Sequence, residues 1–156
     1  MKNLFVLAIS IAVLSLTSCE KDKEEGSSYS FIEQNLKGKI GGSNWEHQSG
    51  RSRADFFDNF YNDLRETADS NICSESNSAQ GNFILFGGEP TIGLYELGSS
   101  KTVTFVIGGN NNLVATEGAY EILTVDTVDN MVTGRMDITY DGDNSVNGNF
   151  SITYCR

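Results

Sequence analysis

Between Thr102 and Ile107 the chain alternates: Val103, Phe105 and Ile107 fall on one face and the two threonines on the other, a period of two that belongs to a strand. Val132, Gly134, Met136, Ile138 and Tyr140 keep the same period, and so do Val146, Gly148, Phe150, Ile152 and Tyr154. Asp141-Gly142-Asp143-Asn144-Ser145 lies between these two runs and is rich in turn-forming residues, so the pair reads as an antiparallel hairpin. The runs also echo each other, since Val-x-Gly-x-x-x-Ile-Thr-Tyr begins at Val132 and again at Val146. A second echo joins Gly93-Leu94-Tyr95-Glu96-Leu97 to Gly118-Ala119-Tyr120-Glu121-Ile122. No fixed spacing relates the two echoes, so they read as similar strands of one fold rather than as a solenoid.

Further strands are expected at Leu36 to Ile40, Trp45 to Ala54, Phe83 to Phe86 and Leu113 to Val125, the last interrupted at Gly118. One stretch fits two patterns. Phe56, Phe57, Phe60, Tyr61 and Leu64 recur at helical spacing among Asp55, Asp58, Asn59 and Asp63, so a short amphipathic helix near 55–65 fits as well as a strand. A single proline, Pro90, and sixteen glycines argue against a helix bundle. The expected fold is all-β, a single antiparallel β-sandwich or partly open barrel of about eight strands.

The N-terminus changes the picture. Met1-Lys2-Asn3 is followed by an apolar run from Leu4 to Leu16, too short to span a bilayer stably, and then by Leu16-Thr17-Ser18-Cys19. Residues 1–18 read as a lipoprotein signal peptide, with Cys19 as the acceptor of a diacylglyceryl group. Two or more acyl chains on one residue give an effectively permanent membrane anchor. Glu20 to Ser28 is charged and then Gly/Ser-rich, so residues 19–30 read as a lipidated cysteine and flexible tether. Residues 31–156 remain for one domain with a core of its own.

Charge narrows the partners. The chain carries 21 acidic and 11 basic residues, and removal of Lys2 with the signal peptide leaves 10 minus 21, or −11. A surface of that sign repels nucleic acid, and no basic stripe interleaved with aromatics offsets it. Cys73 and Cys155 are left as a pair in an oxidising compartment, where a disulfide is expected. Two cysteines and the single histidine, His47, are too few for a thiolate metal site.

Catalytic equipment is thin. The chain has no Gly-x-Ser-x-Gly elbow, phosphate-binding loop, His-Glu-x-x-His or Cys-x-x-Cys, and no cofactor is implied. The Asp141–Ser145 turn resembles the start of a calcium loop but has Val146 and Ile152 where such a loop needs glycine and glutamate. Asp126 and Asp129 are paired carboxylates whose separation nothing in the sequence sets. His47 follows Trp45 at strand spacing, either facing a ligand together with it or sitting as an ordinary sheet-face histidine. Trp45, Tyr61, Tyr95 and Tyr120 have amphipathic rings able to stack on sugars or fill a protein hot spot, and they are the candidate ligand contacts. The polar loop Gly108-Gly109-Asn110-Asn111-Asn112 is either a hydrogen-bonding rim or a plain connection.

Gly38-x-Ile40-x-Gly42-x-x-Trp45, Gly93-x-Tyr95-x-Leu97 and Val146-Asn147-Gly148-Asn149-Phe150 before a terminal Cys155 resemble the small β-rich lipoproteins of unknown function common in Bacteroidota. That resemblance implies the β fold and an outer-membrane address. It also implies display at the cell surface, because Asp22, Glu24 and Glu25 follow the lipidated cysteine, although Lys21 and Lys23 interrupt the acidic tract. The periplasmic face is the alternative address. The resemblance brings no catalytic residues. The expected role is non-catalytic binding at the bacterial envelope, of a glycan or an envelope protein, with a structural or assembly subunit as the rival and a hydrolase behind both.

Overall fold

The computed structural model describes residues 29–55, 57, 59–74 and 78–155. The expected signal peptide, the expected lipidation site Cys19 and the expected tether up to Ser28 therefore lie outside the described residues. Eleven strands make up the fold: β1 (Lys37–Ile40), β2 (Ser43–Glu46), β3 (Ser49–Ala54), β4 (Phe60–Arg65), β5 (Phe83–Gly87), β6 (Gly93–Glu96), β7 (Val103–Ile107), β8 (Asn111–Ala115), β9 (Gly118–Asp126), β10 (Met131–Asp141) and β11 (Asn144–Cys155). They form one sheet in the order β6-β9-β10-β11-β3-β4-β5-β7-β8, curled into a half-barrel, with the β1–β2 hairpin joined to β11.

The fold is all-β, as the alternation requires, with more strands than expected. Trp45 to Ala54 is two strands, because the chain leaves β2 after Glu46 and starts β3 at Ser49. Leu113 to Val125 is also two, broken before Gly118, whose φ of 114° suits glycine and few other residues. The stretch near 55–65 contains no helix among its described residues. Asp55 instead closes a turn, its carboxylate accepting from the backbone N–H groups of Phe57 and Asn59. Phe57 projects into solvent at 78% exposure. Of the polar residues that suggested a helical face, Asp55 and Asn59 form this turn and Asp63 lies in β4, which alternates Asn62 and Leu64 inward against Tyr61, Asp63 and Arg65. One pairing departs from an antiparallel sheet, because β11 runs parallel to β3 over Thr153–Cys155.

Both sequence echoes are antiparallel partners related by a local two-fold. Across β10–β11, Val132 faces Ile152, Gly134 faces Phe150, Met136 faces Gly148 and Ile138 faces Val146. Each glycine lies opposite the large side chain of the other strand; a Cβ on Gly134 would stand 2.5 Å from the Phe150 ring. Across β6–β9, Gly93 faces Ile122 and Tyr95 faces Tyr120 at the centre, while the Leu97 N–H bonds the Gly118 carbonyl. A small residue opposite a large one lets the inner layer interdigitate at native density. Phe105, Ile84, Leu64, Met136, Ile138 and Val132 fill the inside of the half-barrel, all fully buried.

β11 forks the sheet. One edge runs along β10, while the other is shared by β1 at Ser145–Asn147 and β3 at Thr153–Cys155. The backbone groups left in the gap must be paired elsewhere, since buried orphans are costly. Asn149 is taken by the N-terminal strap, donating to the Gln34 carbonyl at 2.7 Å and accepting from the Leu36 N–H at 2.7 Å. The Ser151 carbonyl accepts from His47 Nε2 at 2.9 Å. Asn147 holds the strap as a peptide group would, accepting from the Ile32 N–H and donating to the Ser30 carbonyl, while Ser30 N–H also bonds Asp137. The folded body therefore begins before Phe31.

A lid covers the outer face of β3 and β4. Asp63 accepts from the guanidinium groups of Arg51, at 3.1 Å, and Arg65, at 2.7 Å, all three residues being buried. Arg51 also donates to the carbonyls of Ile72, at 2.9 Å, and Ser74, at 3.2 Å. Those two carbonyls flank Cys73, which is bridged to Cys155 with 5.4 Å between Cα atoms.

Candidate functional site

The outer face of the β1–β2 hairpin carries an open groove of about 870 Å³. Gly41 and Gly42, with φ of 61° and 74°, close the hairpin in the doubly left-handed turn that matches strand twist. Alternation then fixes the faces: Leu36 and Ile40 point inward, and Lys37 and Lys39 point out. Register places Lys37 opposite Glu46, Gly38 opposite Trp45 and Lys39 opposite Asn44. Gln34 of the strap, and Gly142 and Ser145 at the β10–β11 turn, complete the walls.

The hydrogen-bonding capacity here is partly committed. Gln34 donates to the Asn147 carbonyl, and Glu46 accepts from the Asn35 amide at 3.0 Å. Trp45 lines the groove at only 2% exposure, and its indole N–H is held by the Asn82 carbonyl at 3.0 Å. The side chains of Lys37, Lys39 and Asn44 form no hydrogen bond or ion pair among the described residues.

The structure brings Tyr95 and Tyr120 together and keeps Trp45 and Tyr61 apart from them. Tyr95 and Tyr120 stack at 4.9 Å on facing strands, with Phe86 a further 4.9 Å from Tyr120. Burial, and then the neighbouring Tyr95, push the Tyr120 hydroxyl up to about 12. The Tyr95 hydroxyl donates to the Thr91 carbonyl, and Lys101 Nζ lies 5.5 Å from its ring centre. The cavity beside this stack is about 10 Å³, too small for a ligand. Tyr61 is half-buried on the outer face opposite Gly87, where Leu85, Thr102 and Thr104 line a second groove of about 290 Å³.

No protein-family model, curated protein or solved structure matches this chain. Its site is therefore read from its own chemistry.

The remaining candidates serve the fold. Trp45 and His47 are neighbours, with ring centres 6.5 Å apart, and both are buried. Burial lowers the His47 pKa, its hydrogen bond to Ser151 opposing in part. A neutral ring donating from Nε2 leaves Nδ1 buried without a partner among the described residues. Asp126 caps its own turn by accepting from the N–H groups of Asp129 and Val128, which lower its pKa. Asp141 does likewise for Asp143 N–H and the Asn144 amide, closing the expected hairpin. Gly108 N–H bonds Asn82, which ties the 108–112 loop to the hairpin end. Lys37, Lys39 and Asn44 were not among the sequence-level candidates, although the alternation of Leu36 to Ile40 already placed both lysines on one outward face.

Proposed function

We propose that the chain is a lipid-anchored, non-catalytic binding domain of the bacterial envelope that holds an extended glycan in the β1–β2 groove. One observation carries this reading. The interior of the half-barrel is filled with side chains, whereas the open groove presents uncommitted polar groups along a β hairpin. A long ligand can lie across such a surface without entering the fold. The carboxylates singled out from the sequence, Asp126 and Asp129, belong to one turn, and Asp126 is occupied in capping it. The anchor at Cys19 and an outer-membrane, surface-displayed position are part of the same proposal, resting on the lipobox and the tether that follows it.

Retention of the full chain carrying Cys19→Ser on immobilised polysaccharides tests the binding role. Asn44→Ala combined with Ser145→Ala should weaken retention several-fold with an unchanged circular dichroism spectrum, and unaltered retention would remove the groove from the proposal. Protease shaving of intact cells, with a periplasmic protein as control, tests the address.

A second reading has its own support. β6 is an edge strand, and Leu94 on it and Leu123 on β9 are nearly half exposed, with Ile92 more so just before the strand. An apolar strip beside unpaired backbone favours strand addition by an envelope protein.

A further inference from the structure

The basic side chains of this acidic protein are engaged almost everywhere. Arg51 and Arg65 are bound to Asp63, Arg135 to Glu121 and the face of Phe31, and Lys101 lies over Tyr95. Arg53 is engaged as well. Lys37 and Lys39 are the exceptions among the described residues, on a chain with 21 carboxylate side chains from which partners could have been drawn. Glu46 sits directly opposite Lys37 in register, yet its carboxylate is turned to the Asn35 amide and makes no ion pair with the lysine. Both ammonium groups are exposed on the face that forms the groove.

Residues two apart on a strand are about 6.8 Å apart along it, so the two lysines present separate point charges in a row. An ammonium is a compact cation with rotatable donors, suited to an anionic group whose orientation varies. The uncommitted Asn44 amide opposite Lys39 adds a neutral donor and acceptor beside them. We propose that this groove is selective for anionic glycans, with Lys37 and Lys39 receiving successive carboxylate or sulfate groups of an acidic polysaccharide. This rests on the binding role proposed above and specifies its ligand class. The overall negative charge sharpens the choice, because a polyanion is repelled by the rest of the surface and is admitted only where the lysines lie.

The test uses the full chain with Cys19→Ser and four immobilised probes: polygalacturonate for carboxylate, heparin for sulfate, dextran as a neutral polymer and phosphatidylglycerol vesicles as an anionic lipid surface. Retention on polygalacturonate or heparin, with little on dextran, is expected, and the preferred polymer identifies the anionic group. Lys37→Gln combined with Lys39→Gln should lower that affinity about tenfold, as should raising salt from about 50 to 300 mM, whereas Lys101→Gln should change it less than about twofold. Circular dichroism and the melting temperature should not change in either variant. Equal binding to dextran that survives the lysine substitutions would overturn the anion inference and leave the glycan-binding reading standing. Binding to vesicles and to no polymer, or an equal loss with Lys101→Gln, would also overturn it. Failure to bind any polymer would remove both readings.

Discussion

The Cys73–Cys155 bridge closes 82 residues of chain, and its removal is a perturbation whose size follows from that separation. In the loop-entropy treatment the unfolded chain regains about 15 cal/mol/K, or about 4.5 kcal/mol at 25 °C. A domain of this size is stable by about 5–15 kcal/mol, so the loss is about 30–90% of the total. The native state should change little, because Arg51 still holds the carbonyls on either side of residue 73. Urea unfolding of the full chain with Cys19→Ser, followed by Trp45 fluorescence and far-ultraviolet circular dichroism, is the assay. With a slope of about 1–3 kcal/mol/M, Cys73→Ala combined with Cys155→Ala should lower the midpoint by about 1.5–4.5 M while the native spectra coincide. Adding Arg51→Lys, which cannot reach both carbonyls and Asp63 with one planar fork, should cost more in the unbridged protein than in the bridged one, since the two ties restrain the same loop. A midpoint within about 0.3 M of the bridged protein would refute the reasoning, as would strictly additive effects of the two changes.

His47 should make stability depend on pH. Its folded pKa lies below 6.5, so the unfolded chain binds more protons, and stability should be full above about pH 7 and decline as pH falls through 6.5. His47→Gln should remove that component of the melting-temperature slope between pH 7 and 5, and an identical slope in both proteins would contradict the assignment. Tyr120 acts at the other extreme: its folded value of about 12 lies above the unfolded value of 10, so stability should be lost as pH rises from about 10 to 12, and Tyr120→Phe should flatten that loss. Asp63→Leu leaves the buried Arg51 and Arg65 without their shared carboxylate and should destabilise by about 3–5 kcal/mol in urea, a loss under 1 kcal/mol counting against the lid. Gly134→Ala drives a Cβ against the Glu121 carbonyl oxygen and to 2.5 Å from the Phe150 ring, so it should cost about 1–3 kcal/mol, whereas Gly98→Ala, where nothing lies within 4 Å, should cost little.

Much of the sheet could be read from the chain because alternation and burial are the same fact seen twice. The two echoes carried more than strand identity. Val-x-Gly-x-x-x-Ile repeated on the two arms of a hairpin brings each glycine opposite the other arm's Phe150 or Met136, so the repeat and the register have one cause in packing. What could not be read was the fork on β11. A carbonyl at Ser151 left between two partner strands has no signature in its own segment, and the side chain that satisfies it comes from His47, more than a hundred residues away. The parallel contact with β3 is hidden for the same reason, since it depends on where β1 stops. Asp55 misled because an aspartate that caps a turn and one on the polar face of a helix look alike in sequence, and only the hydrogen bonds to Phe57 and Asn59 separate them.

At the site, sequence reasoning looked for aromatic rings and found residues that the fold uses for itself. Tyr95 and Tyr120 meet because they occupy the centre of a two-fold strand pair, which is where a large side chain packs best and where a ligand has least room. Trp45 faces inward from the hairpin and shows the groove little of its surface, while the Gly38 opposite it lets the β11 backbone at Ser145 and Val146 approach closely. The same alternation that buries Leu36 and Ile40 forces Lys37 and Lys39 outward, and it does so whether or not an acid is near enough to pair them. An unpaired cation is invisible in a list of residue types. It becomes visible only once the carboxylates have been placed, and here Glu46 is turned to Asn35 while Asp126 and Asp141 are engaged in their own turns. The candidate site is therefore defined as much by what the acids are doing elsewhere as by the two lysines themselves.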